Sequence, residues 1–136
     1  MKYTYDYSLL PGSVTTLAPV IPVTFINGKY NFDTFALVDS GADSGLISTV
    51  IADALHIDWN KLKRETGYTT SGEFYYRTFK NLETEIEFNP FMIDINIVEG
   101  VAPFKCILGR NDLFLKAEIT FRGFANQFDI EFRKFN

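Results

Sequence analysis

The residue types that could do chemistry in this 136-residue chain concentrate in one segment, Asp39-Ser40-Gly41-Ala42-Asp43-Ser44-Gly45, directly after the apolar run Phe35-Ala36-Leu37-Val38. A carboxylate at the end of a buried strand is held by the sheet, as acid–base work requires. Ser40 adds a hydroxyl, and Gly41 lets other groups approach the backbone closely. Asp, Ser and Gly are also ordinary turn formers. The pattern Asp-(Ser or Thr)-Gly arises by chance in about 1 in 20 chains of this length, so the tripeptide alone decides nothing. The segment holds a second copy, Asp43-Ser44-Gly45. Asp39 is the catalytic choice of the two, because the apolar run ends on it.

Other chemistries find less support. His56 is the single histidine and falls at the end of a helical pattern, where the helix dipole favours a cation; nothing near it completes a Ser-His-Asp set. Ser44 lies one place too late for a Gly-x-Ser-x-Gly elbow. Cys106, the single cysteine, sits in the apolar stretch Lys105–Leu108 and reads as a buried structural thiol. A calcium loop starting at Asp39 would carry Val50 where its twelfth ligand belongs. Glu83, Glu85 and Glu87 alternate along a strand, the pattern of a solvated face. No metal and no cofactor is expected.

The elements that must position Asp39 read mostly as strands. Aromatic residues make up 16% of the chain, with 14 Phe and 7 Tyr, a bias toward strands. Val20–Ile26 and Phe32–Val38 flank Asn27-Gly28, a hairpin signal because both residues tolerate positive φ. The unbroken run 35–38 suggests burial on both faces. In Ile47–Leu55, Ile47, Val50, Ile51, Ala54 and Leu55 form an apolar helical stripe that Ser48 could cap. Residues 64–80 read as a polar hairpin with Thr69-Thr70-Ser71-Gly72 at its tip. Further strands are expected at Leu82–Phe88, Phe91–Val98, Lys105–Leu108, Ala117–Phe121 and Phe128–Phe132, with a brief helix over Arg110–Leu115 and a turn at Gly123. The expected fold is mainly β, a closed or partly closed barrel with one or two short helices, forming a single domain over residues 1–136.

Charge and composition narrow the partners. Thirteen basic against 17 acidic residues leave −4, without the Lys/Arg surplus that nucleic-acid binding needs. No stretch is long and apolar enough for a membrane span, and the start MKYTYDYSLLPG lacks a signal-peptide core. With a lone cysteine, a reducing, cytoplasmic location is expected.

The segment 35–43 and the later Ile107-Leu108-Gly109-Arg110-Asn111 together resemble the retropepsin family, the small aspartic proteases of retroviruses and their cellular and bacterial relatives. Pro22-Val23-Thr24 with Asn27-Gly28 looks like the opening hairpin of that family, and the polar hairpin resembles its flap. The resemblance spans most of Pro22 to Leu115. The helix after the motif is closer in style to cellular and bacterial members, and the terminal strands differ from the short retroviral dimer sheet.

The resemblance implies an acid-protease barrel with a flap and an aspartic endopeptidase activity on peptide or protein substrates. Two carboxylates share one proton and activate a water that attacks the peptide carbonyl. With one strand-Asp-Ser-Gly of the right type in the chain, it implies a homodimer in which Asp39 of each copy supplies half the dyad. Ser40, Gly41 and Ala42 would support the loop, Ser40 by a hydrogen bond across the dimer; the family usually has Thr there. Asp43 would pair with Arg110, in a partly buried bridge flanked by Gly109 and Asn111. Tyr68, Thr70, Ser71 and Gly72 would belong to the flap and touch substrate. An alternative is the same fold used for dimerisation or peptide binding without turnover.

Overall fold

The structure is a computed structural model and describes residues 1–133. In chain order the strands are β1 (Lys2–Asp6), β2 (Ser8–Leu9), β3 (Leu17–Ala18), β4 (Val20–Asn27), β5 (Tyr30–Val38), β6 (Leu46–Ser48), β7 (Glu65–Thr69), β8 (Gly72–Ile86), β9 (Asn89–Val98), β10 (Cys106–Leu108), β11 (Ala117–Arg122) and β12 (Gln127–Phe132). Helix α1 (Thr49–Ala54) follows β6, and α2 (Leu113–Lys116) follows β10; single 3₁₀ turns lie at Trp59–Lys61 and Gly123–Ala125. The main sheet runs β4-β5-β10-β6-β9-β8-β7, and an additional β4–β8 pairing closes six of these strands into a ring, with β7 appended. This is the expected mainly β, closed-barrel architecture.

The ring closes because its inward positions are apolar. Ile21, Phe25, Ile47, Ile95, Ile97 and Leu108 are fully buried, and Ile51 and Leu55 of α1 join them. Removing each such side chain from water contributes about 1.5–3 kcal/mol. A second sheet, β1-β12-β11, adds Phe128 and Ile130 to this core. Strand β1 carries no apolar run, and its sequence offers only the alternation Tyr3, Tyr5, Tyr7; it was not expected, and Tyr5 stacks on Phe128 at 5.4 Å.

Several expectations are corrected. The hairpin turn is Gly28-Lys29, with Asn27 paired to Tyr30; Gly28 alone takes positive φ (61°), and Asn27 Nδ2 instead donates to Leu55 O at 2.8 Å. The run 35–38 is not buried on both faces: Ala36 and Val38 point inward, Leu37 is half-buried and Phe35 is 54% exposed. The helix starts at Thr49, with Ser48 as its cap, accepting from Ile51 N. Ile47 therefore lies on β6, Val50 and Ala54 face solvent, and Ala52 takes a core position. The second arm of the polar hairpin and the strand expected at 82–88 are one long strand, β8, with a register shift between Phe79 and Leu82. It ends at Ile86. Glu87 and Phe88 form a two-residue turn with φ of 49° and 62°, so Glu87 leaves the row of Glu83 and Glu85 and accepts a hydrogen bond from the Tyr5 hydroxyl. Glu83 and Glu85 are half-buried rather than fully solvated.

Candidate active site

Strand β5 delivers Asp39 to the rim of the barrel. Its neighbour β10 runs parallel to it, pairing Leu108 with Val38, and the Asp39 amide donates to Leu108 O at 3.0 Å. The chain then turns, with Ala42 N donating to Asp39 O at 3.2 Å. Gly41 N donates to Asp39 Oδ1 at 2.9 Å, so one carboxylate oxygen is oriented by the loop's own backbone. The carboxylate is half-buried. Ser40 and Gly41 are exposed, and among the described residues the Ser40 hydroxyl has no hydrogen-bond partner.

The segment after β10 interlocks with this loop. Arg110 N donates to Ala42 O at 3.0 Å, and Asn111 N to Asp43 O at 2.8 Å. The Arg110 guanidinium pairs with the Asp43 carboxylate. The pair is more open than expected, with side chains 54% and 79% exposed, because both groups reach outward from the rim. An exposed bridge of this kind contributes about 0–1 kcal/mol; the backbone bonds beneath it hold the two segments together. Gly109 is buried, and a Cβ there would meet Ala42 O at 2.6 Å, so only glycine permits the close approach.

The strongest local anchor is Asp112, which the sequence reading passed over. It is 2% exposed, and its carboxylate accepts three backbone amides: Gly109 N and Leu113 N on Oδ1, each at 2.7 Å, and Gly45 N on Oδ2 at 2.6 Å. It caps α2 and ties the Gly45 end of the Asp39 loop to the turn after β10. Burial pushes its carboxyl above the usual range, and the three amides pull it back. The available signal was an Asp directly before the apolar Leu113-Phe114, a helix-capping pattern. Cys106, buried on β10, is pushed well above the usual thiol range by burial and by the Asp112 charge, which fits the structural thiol expected there. His56 lies just past α1 with φ of 55° and stacks on the Tyr30 ring at 3.7 Å.

A cleft of about 320 Å³ opens beside Asp39, lined by Pro19, Leu37, Val38, Asp39, Ser40 and Phe121. Phe121, from the second sheet, was not anticipated as a site neighbour. The structure thus brings together Asp39, Ser40, Gly41, Ala42, Asp43, Gly109, Arg110 and Asn111. Thr70 and Ser71 form the tip of the β7–β8 hairpin, with Tyr68 and Gly72 on its arms; all four are exposed, and none lines the cleft. A larger groove on the outer face of β4 and β5, lined by Phe35, Asp33, Glu85 and Phe88 among others, does not include Asp39.

Fold and rim loop together define a chain with the retropepsin-like fold. The structure is similar to the crystal structure of a retropepsin-like aspartic protease from Rickettsia conorii, with a TM-score of 0.70 and 20% sequence identity over 95% of this chain and 98% of that one. No protein-family model and no curated protein sequence matches the chain. Among the described residues, no helix is long and apolar enough to cross a membrane.

Proposed function

We propose that the chain is an aspartic endopeptidase that acts as a homodimer. The observation that carries this reading is Asp39 itself: a half-buried carboxylate at the end of a barrel strand, oriented by the Gly41 amide and opening onto a cleft. In a dimer, Asp39 of each copy would face the other. Two carboxylates in contact cannot both ionise, so the pair holds one proton near neutral pH and titrates as a unit. The ionised member takes a proton from a water between them. That water attacks the substrate carbonyl, and the protonated member stabilises the oxyanion that develops. The exposed Ser40 hydroxyl, without a hydrogen-bond partner among the described residues, would bond across the dimer. Asp43 of the loop and Arg110 beside it would meet the substrate backbone, and the β7–β8 hairpin with Tyr68, Thr70, Ser71 and Gly72 would supply the flap. The substrate class is peptide or protein.

The test is incubation of the purified protein with a diverse peptide mixture from acidic to neutral pH, with and without a statine-type inhibitor. Cleavage that the inhibitor blocks and that Asp39→Asn abolishes, with circular dichroism unchanged, is the expected result. Equal cleavage by Asp39→Asn would overturn the mechanism. No cleavage by the parent at any pH, with a folded dimer, would favour a binding module on the same fold.

A further inference from the structure

A groove of about 420 Å³ runs over the outer face of the barrel. Strand β4 makes its floor with the short side chains of Pro22 and Thr24. Strand β5 supplies Phe35 and Asp33 on one side, paired with Pro22 and Thr24 in turn. Strand β8 supplies Glu85 on the other side, also paired with Thr24, and the turn after it adds Glu87 and Phe88. Asp33 and Glu85 thus flank Thr24 from the two neighbouring strands, about 10 Å apart across the sheet.

These carboxylates have no cation of their own among the described residues. Asp33 Oδ1 accepts from the Thr24 hydroxyl at 2.6 Å, and Glu87 accepts from the Tyr5 hydroxyl. Both donors are neutral, and each engages only one oxygen of its carboxylate. Burial, and then Glu87 itself, push the Tyr5 hydroxyl well above the usual phenol range, so it stays protonated as a donor. Glu85 has neither a hydrogen bond nor an ion pair among the described residues. Strands β4, β5 and β9 contain no Lys or Arg. Those of β8 are engaged elsewhere, Arg77 on Glu99 and Lys80 on Asp94. Lys29, in the β4–β5 turn, lies over the Tyr30 ring, and Lys2 of β1 acts on Asp129.

The aromatic part of the groove also runs against the preferences of the fold. Glu87 and Phe88 take φ of 49° and 62° in a two-residue turn, where Asn or Gly is favoured. The Phe88 ring is 90% exposed and Phe35 is 54% exposed, so neither gains much from burial. Exposed rings and uncompensated carboxylates around one groove mark an interaction surface.

We propose that this groove docks an extended basic segment of a partner protein, with an arginine side chain seated over Thr24 between Asp33 and Glu85. Carboxylates on both sides of the groove can accept from the two edges of one guanidinium, which carries five N–H donors in a planar fork. Phe35 and Phe88 offer apolar and π surface to the arginine stem and head, and guanidinium is more weakly hydrated than ammonium. Docking here requires no peptidase activity.

The test is fluorescence anisotropy of a labelled, end-blocked peptide with arginine at alternate positions, with a statine-type inhibitor present to suppress cleavage. A second peptide carries citrulline, which keeps the shape and loses the charge. The parent should bind the arginine peptide, and the citrulline peptide at least ~10-fold more weakly. Glu85→Gln should raise the dissociation constant for the arginine peptide at least ~10-fold, and Phe88→Gly about 3-fold or more, with circular dichroism unchanged. Asp58→Asn removes one surface charge outside the groove, paired with Lys61, and should leave the dissociation constant within about 2-fold. No binding of the arginine peptide, equal binding of the two peptides, or a loss in Asp58→Asn as large as in Glu85→Gln would overturn the docking site. Spermine that displaces the peptide at equimolar concentration would assign the groove to a free polyamine and overturn the protein partner. Binding that follows the groove variants stands whether or not the protein cleaves peptides.

Discussion

Asp112→Ala gives the sharpest check on how the Asp39 loop is held. The substitution removes one buried carboxylate and with it three short hydrogen bonds, from Gly45, Gly109 and Leu113. Bonds to a charged acceptor contribute about 1.5–3 kcal/mol each. Their simple sum overstates the loss, because the carboxylate no longer has to be desolvated and water can reach part of the vacated space. Breaking one side of a buried charged network typically costs about 3–5 kcal/mol, and that is the expected loss here. For a chain of this size it corresponds to a melting point lower by about 10–20 °C. Asp112→Asn separates the charge from the geometry. The Asn oxygen can still take Gly109 and Leu113, but an NH2 group then meets the Gly45 amide, donor against donor. At least ~2 kcal/mol should therefore still be lost. Urea unfolding of the three proteins reads both numbers. A loss below about 1 kcal/mol for the alanine variant, or an asparagine variant as stable as the parent, would refute the claim that one oxygen holds the loop and the other the turn after β10.

Two further perturbations probe the frame around the site. Asp129 is held well below the usual carboxylate range, first by the hydrogen-bonded Arg122 and then by Thr4. A lowered folded pKa means that its contribution is present above the unfolded value of about 3.9 and is lost as pH falls through the folded value. The urea midpoint should therefore drop on acidification below about pH 4, and drop less in Asp129→Asn; equal acid sensitivity of the two proteins would exclude this pair as a source. Phe88 has φ of 62° in a two-residue turn and is 90% exposed. Phe88→Gly should raise stability by about 0.5–1 kcal/mol, because glycine enters that region without strain and little packing is lost; a lower urea midpoint would show that the ring is held by contacts.

The sequence made the barrel legible where side-chain alternation and turn chemistry agree. Strands β4, β5 and β9 fall close to where they were expected. The misses have physical causes. The run Phe35–Val38 looks doubly buried because all four residues are apolar, yet period-two geometry sends Phe35 and Leu37 to the outer face, and composition cannot report which outer faces stay open. Ile47 fits a helical stripe as well as a strand, and its pairing with Cys106 across β10 decides for the strand. The rim loop was read from its motif, and the partnering of its segments with Gly109-Arg110-Asn111 appears in the backbone bonds. Asp112 was overlooked because a buried carboxylate is recognisable only when the amides that surround it are known, and Gly45 lies 67 residues away in sequence.

That long-range bond links the site to the core. A Cβ on Gly45 would meet Ile107 O at 2.5 Å, and one on Gly109 would meet Ala42 O at 2.6 Å, so the two segments cross where no side chain fits. The same crossing lies where β10 pairs Ile107 with Leu37 of β5 and Leu46 of β6, within the ladder of the barrel ring. Asp39 is consequently positioned by the strand pairing that builds the barrel, and a substitution that loosens it from the inner side must loosen the fold as well. The outer side is different: Ser40, Gly41 and Asp43 are exposed, and no core residue depends on their side chains. Substitutions there can alter what meets Asp39 while the barrel stays intact, which makes the outer rim the place where a second copy or a substrate can be tested apart from stability.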